Sequence, residues 1–118
     1  MPIRDVIKIV SSYGGVVIPS HPFRGVNAIG EGLTGLSGIC AIEGYNGCNM
    51  HNMNIKAVET AKTLGLPYTG GSDAHNPKEV GSCYTEFTNS LTNRSLVDML
   101  KEGLYYGVDT RKISGMTF

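Results

Sequence analysis

The chain reads as an α/β domain built on a mostly parallel sheet, and three observations predict it. Helix-period segments alternate with short β-branched runs, the order that right-handed crossovers between parallel strands produce. Sixteen glycines are spread along 118 residues rather than gathered into one tract, as tight strand-to-helix turns require. The polar clusters fall just past the ends of strand candidates, the edge where sheets of this class bind ligands.

Each element follows from local pattern. Between Asp5 and Tyr13, the residues Val6, Ile7, Ile9, Val10 and Tyr13 recur at three- and four-residue spacing, which predicts an amphipathic helix stopped by Gly14-Gly15. Val16-Val17-Ile18 predicts a short strand buried on both faces, ended by Pro19, with His21 just beyond. Residues 23–38 hold five glycines and little periodicity, so a long loop with room for one short helix is expected. A second strand is expected over 39–43, turning at Gly44-Tyr45-Asn46-Gly47. A helix over 49–64 should present Ile55, Val58, Ala61 and Leu64 on one face, with Gly65 as its C-cap. A third strand over 67–71 empties into Ser72-Asp73-Ala74-His75. The tail adds a strand over 83–87, a helix over 95–102 capped by Gly103, and a strand over 104–108.

At this length one hydrophobic core and one domain over residues 1–118 are expected. Lys plus Arg balance Asp plus Glu at ten each, so no net field draws the chain to nucleic acid or an anionic membrane. No basic aromatic stripe appears, no strand is followed by GxGxxG or GxxxxGK[ST], and no apolar run has the length of a membrane span or a signal peptide. Three cysteines, Cys40, Cys48 and Cys83, form no CxxC and cannot all pair, which implies a reduced, cytoplasmic protein.

Asp73 and His75 stand two apart, and in extended backbone such residues share a side, so a carboxylate and an imidazole can converge on one ion. Gly70 and Gly71 before them let backbone approach closely. The competing reading makes Asp73 a turn cap and His75 a surface residue. His21 is followed by Pro22, which should restrict it to extended geometry at the strand end, as a ligand or as a turn residue. The joint placement of His21, Asp73 and His75 at strand ends favours a site. Glu43, between the two clusters, is read as orienting a ligand or a water. Arg24 is placed for bidentate contact with a phosphate, or is an exposed loop cation. Cys48 and His51, with Met50 and Met53 nearby, allow a soft-metal site whose remaining ligands the local sequence does not supply.

The segments GVVIPSHPFRG, AIEGYNG and YTGGSDAHNPKEVG, in this order and with the helix NIKAVETAKTLGLP between the last two, resemble the third, an intermediate and the last conserved blocks of the polymerase and histidinol phosphatase (PHP) superfamily. The resemblance spans nearly the whole chain. It implies the C-terminal half of a distorted, TIM-like, seven-stranded β/α barrel. It also implies metal-dependent hydrolysis of phosphate esters with divalent ions (Zn, Mn, Mg or Fe), and His21, Asp73 and His75 match metal-ligand positions. Glu43 and Asn46 match positions near the site. The family's opening HxH block has no counterpart here, so the expectation is a partial domain, completed by a homo-oligomeric partner or a missing N-terminal half, acting on a phosphorylated small molecule. The alternative is a non-catalytic metal- or anion-binding remnant or assembly module.

Overall fold

The computed structural model describes residues 1–25, 28–89 and 95–111. It is a mixed α/β fold: helix α1 (Ile3–Ser12), a 3-10 turn (Gly30–Gly35), strand β1 (Ile42–Asn46), helix α2 (His51–Leu64), strand β2 (Tyr68–Gly71), a 3-10 turn (Pro77–Glu79), strand β3 (Cys83–Phe87), helix α3 (Leu96–Glu102) and strand β4 (Tyr105–Asp109). Two helices end as the glycines direct, with Gly65 and Gly103 in the left-handed conformation at φ 69 and 77. Ser95 caps α3 by accepting from the Asp98 N–H.

β1 and β2 pair in parallel through the α2 crossover. β3 and β4 pair antiparallel, Cys83 opposite Asp109 and Phe87 opposite Tyr105. The sheet is therefore not mostly parallel, and no closed barrel forms among the described residues. β3 and β4 instead form a separate antiparallel pair that meets β2 backbone to backbone at Gly70 and Gly107, so the parallel ladder does not continue past β2.

Residues 16–18 form no strand, contrary to expectation. Val17 C=O accepts from the Cys40 N–H (3.2 Å) and Pro19 C=O from the Glu43 N–H (3.0 Å). Pro19 has no N–H to return, so the pairing goes no further. β1 itself lies three residues later than the pattern indicates.

The core gathers Ile7, Leu33, Ile39, Ile42 and Ala61 between α1, the first 3-10 turn, β1 and α2. Fully burying a side chain such as Leu33 or Ile42 contributes about 1.5–3 kcal/mol. α2 turns inward most of the expected face, with Val58 and Ala61 buried and Leu64 packed against the core, but Asn54 and Ala57 are buried as well and Ile55 is 41% exposed. A polar residue occupies the core position, for a reason that belongs to the site.

Glycines set how closely the layers meet. Between Glu43 and Tyr45 the β1–β2 register shifts by one residue, and a Cβ on Gly44 would lie 2.8 Å from Val58 Cγ2. The β3–β4 pair lies backbone against backbone on β2. Thr85 Oγ1 donates to Gly70 C=O (2.8 Å) and accepts from Gly70 N–H (3.0 Å), and a Cβ on Gly107 would fall 2.5 Å from Thr69 O.

Gly107→Ala is accordingly expected to destabilise the fold by about 1–3 kcal/mol through overpacking. A denaturant midpoint equal to wild type would show that the two sheets do not meet as described.

Candidate metal centre

Because β1 and β2 are parallel, their C-terminal ends lie side by side, with Asn46 opposite Gly71. Gly47 N–H donates to Gly71 C=O at 2.9 Å, and the loops that follow leave from one edge. A Cβ on Gly47 would lie 2.5 Å from Ser72 O, and one on Gly71 would lie 3.1 Å from Glu43 Oε1.

Beneath this edge sit three buried asparagines, Asn46, Asn49 and Asn54, exposed by 2%, 6% and 0%. A buried amide is costly unless its donors and acceptor are satisfied, and here they are. Asn54 Oδ1 accepts from the Asn46 N–H (3.2 Å) and from Asn49 Nδ2 (3.0 Å), and Asn54 Nδ2 donates to Asn46 C=O (3.0 Å). The helix thus grips the backbone of the strand's last residue from both sides, which is why α2 turns Asn54 inward and leaves Ile55 outside.

Asn46 passes that order outward. Its Nδ2 donates to Glu43 Oε2 (3.1 Å) and Asp73 Oδ2 (3.3 Å), and its Oδ1 accepts from the Cys48 N–H (2.8 Å) and Arg24 Nη2 (2.8 Å). Arg24 also donates from Nε to Asn49 Oδ1 (2.7 Å) and from Nη2 to Asp73 Oδ2 (2.9 Å). These bonds, Arg24 first and Asn46 second, hold the Asp73 carboxyl below the usual carboxylate range.

A second clamp comes from the far sheet. Arg111 and Asp109 form a two-pronged pair, Nε to Oδ1 at 3.0 Å and Nη2 to Oδ2 at 2.8 Å. Arg111 Nη1 then donates to Gly47 O and Asn49 O, both at 2.9 Å, and so holds the loop after β1 on either side of Cys48.

Among the described residues one set of three metal-ligating side chains converges: Cys48, Asp73 and His75, whose donor atoms all lie within 4.8 Å of one another. Cys48 Sγ is 3.7 Å from His75 Nδ1 and 3.0 Å from Asp73 O. The structure therefore brings Asp73 and His75 together, but through a left-handed residue, Asp73 at φ 51, and not through extended backbone. His75 N–H is held by Glu79 Oε1 at 3.1 Å.

His21 lies outside that set. It sits at φ 28 instead of extended, a conformation disfavoured before Pro22, and its N–H donates to Glu43 Oε2 at 2.5 Å. Glu43 thus binds the backbone of His21 and the amide of Asn46. Arg24 reaches the edge but is engaged by Asp73 and two asparagines rather than free in a loop. His51 does not join Cys48; its Nδ1 is buried without a partner among the described residues. Asn49, Asn54 and Arg111 carry no metal-site signature in the sequence. The one available signal was a run of asparagines flanking a helix start.

Residues 51–104 match the family model described as PHP-associated. This stretch is similar to the PHP-associated family, consistent with the C-terminal region of a PHP domain. It runs from the start of α2 into the residues before β4 and contains Asp73 and His75, whereas His21, Arg24, Glu43, Asn46 and Cys48 precede it. Neither a curated protein nor a solved structure matches the chain. Among the described residues no helix is long and apolar enough to cross a membrane.

Two outcomes follow from the asparagine network and the Arg111 clamp. Asn54→Ala leaves Asn46 N–H and C=O unpaired and should cost about 1–3 kcal/mol, read from chemical denaturation. For Asp109, burial raises the carboxyl but the bonds from Arg111 outweigh it, and the net shift is downward. A lowered folded value means a contribution present above the unfolded value of about 3.9 and lost as pH falls through the folded one. Asp109→Asn should therefore flatten the acid limb of a stability profile below pH about 4; an unchanged limb contradicts the clamp.

Proposed function

We propose that this chain forms the C-terminal part of a PHP-type metal-dependent phosphoesterase, corresponding to half of a distorted β/α barrel. The observation that carries this is the convergence, at one sheet edge, of Asp73 and His75 from the PHP-associated region with the guanidinium of Arg24.

In this reading Asp73 and His75 hold divalent metal (Zn, Mn, Mg or Fe), while His21, which the sequence offered as a third ligand, lies outside their set. The donor set, carboxylate and imidazole with a thiol beside them, suits a first-row ion such as zinc. When bound, the metal would supply Lewis acidity and a water acidic enough to ionise near neutral pH. Arg24 then binds phosphoryl oxygens of a phosphorylated small molecule, exchanging its contact with Asp73 for the substrate. Glu43 holds the His21 backbone and the Asn46 amide, and so keeps the edge in register while the substrate enters.

The exposed apolar side chains of α1, Ile3 and Ile9, offer a surface on which a second copy or an N-terminal half would pack. Three free thiols accord with a cytoplasmic setting. With zero net charge, nucleic acid is not the substrate we propose.

A second reading has one observation in its favour. A single three-donor set among the described residues is enough for one ion and short of a cluster, as a metal- or anion-binding remnant or assembly module would have. Elemental metal content per chain, measured by plasma mass spectrometry on protein purified without added metal, tests both together with hydrolysis of p-nitrophenyl phosphate. The enzyme reading expects near-stoichiometric metal that His75→Ala removes. It also expects hydrolysis that Arg24→Ala lowers by about 10²-fold or more, as loss of a transition-state anion contact does. Metal without hydrolysis supports the remnant; absence of metal overturns the phosphoesterase.

A further inference from the structure

We infer that Cys48 is a thiolate ligand of the metal held by Asp73 and His75, which makes the site selective for a thiophilic ion, zinc ahead of magnesium. The inference rests on the reading that Asp73 and His75 bind metal. It adds a ligand that the quoted SHP and GSDAH blocks do not contain.

The geometry is that of donors around one ion. Metal–ligand lengths of about 2.3 Å for sulfur and 2.0–2.1 Å for nitrogen, at the tetrahedral angle, place the two donors about 3.6 Å apart. Cys48 Sγ and His75 Nδ1 are 3.7 Å apart. The carboxylate of Asp73 completes a set within 4.8 Å. The bonds from Arg24 and Asn46 both fall on Oδ2, which orients the carboxylate as the outer partners of metal ligands commonly do.

Cys48 is also held in place before any ion arrives. Its N–H is bonded by Asn46 Oδ1, and the carbonyls on either side of it, Gly47 and Asn49, are both bonded by Arg111. A surface thiol without a role has no need of a buried amide and a clamped arginine to fix its loop. Cys48 and His75 are exposed and Asp73 is part-buried, so an ion and a fourth ligand from solvent have access. Three protein ligands and one open position are the pattern of a catalytic zinc site. When the Sγ–metal bond forms, the thiol proton leaves to solvent.

Hard ions take oxygen ligands and disfavour thiolate, whereas zinc and cobalt accept it. Cobalt(II) is therefore the probe. Titrated into the full chain, it should produce a thiolate-to-cobalt charge-transfer band in the near ultraviolet. The band should persist in Cys83→Ser, whose thiol is buried and pushed up to about 12, chiefly by burial, and vanish in Cys48→Ser. Zinc competition should show affinity lowered at least tenfold in Cys48→Ser. Zinc X-ray absorption on wild type, which needs no variant, should show sulfur scattering at about 2.3 Å. Cobalt bound with weak visible bands but no charge-transfer band, a band that survives Cys48→Ser, or zinc without a sulfur neighbour overturns the inference and leaves the phosphoesterase reading standing. No cobalt or zinc bound to wild type overturns both.

Discussion

One buried side chain governs the organisation of this edge. Asn54 lies on α2 at a position that helical periodicity assigns to the core, and its amide bonds both the N–H and the C=O of Asn46. An unbonded amide in that place would cost about 1–3 kcal/mol or more, so the helix and the strand end are compatible in one register only. Asn46 is thereby fixed as a hub, and its own amide sets Glu43, Asp73, Arg24 and the Cys48 backbone. Polar specificity at the base of the site is what converts a strand end into a defined constellation.

Two further constraints support this arrangement from outside. Gly44, Gly47 and Gly107 each occupy a place where a Cβ would come within 2.8 Å of a neighbour, so they allow α2, the Ser72 loop and the β3–β4 pair to close on the parallel strands. Arg111 then reaches from the end of β4 to the loop after β1, with Asp109 fixing its guanidinium. The antiparallel pair thus contributes to the site without supplying a candidate ligand.

What the sequence made legible was local. Helical spacing and Gly65 located α2, Gly103 marked the end of α3, a strand was expected where β3 lies over Cys83–Phe87, and Asp73 with His75 marked the edge. Most of the misses were non-local. Val16 to Ile18 has strand composition, but its partner segment and Pro19 allow only two bonds. Ile55 fits an apolar stripe, yet Asn54 took the inward face because its partners lie eight residues back in β1. The antiparallel direction of the β3–β4 pair has no counterpart in the local spacing of either strand. Cys48 meets His75 across a separation of 27 residues, a juxtaposition no local spacing encodes. The left-handed backbone of His21 and Asp73 was hidden because neither is glycine.

The asparagine network forms the edge in advance of the metal proposed for it. Anomalous diffraction from crystals of the full chain grown with zinc tests this most directly. The expected result is a peak between Asp73 and His75, with the Asn54 bonds to Asn46 unchanged. A peak elsewhere, no peak, or an Asn46 that has left Asn54 would contradict it.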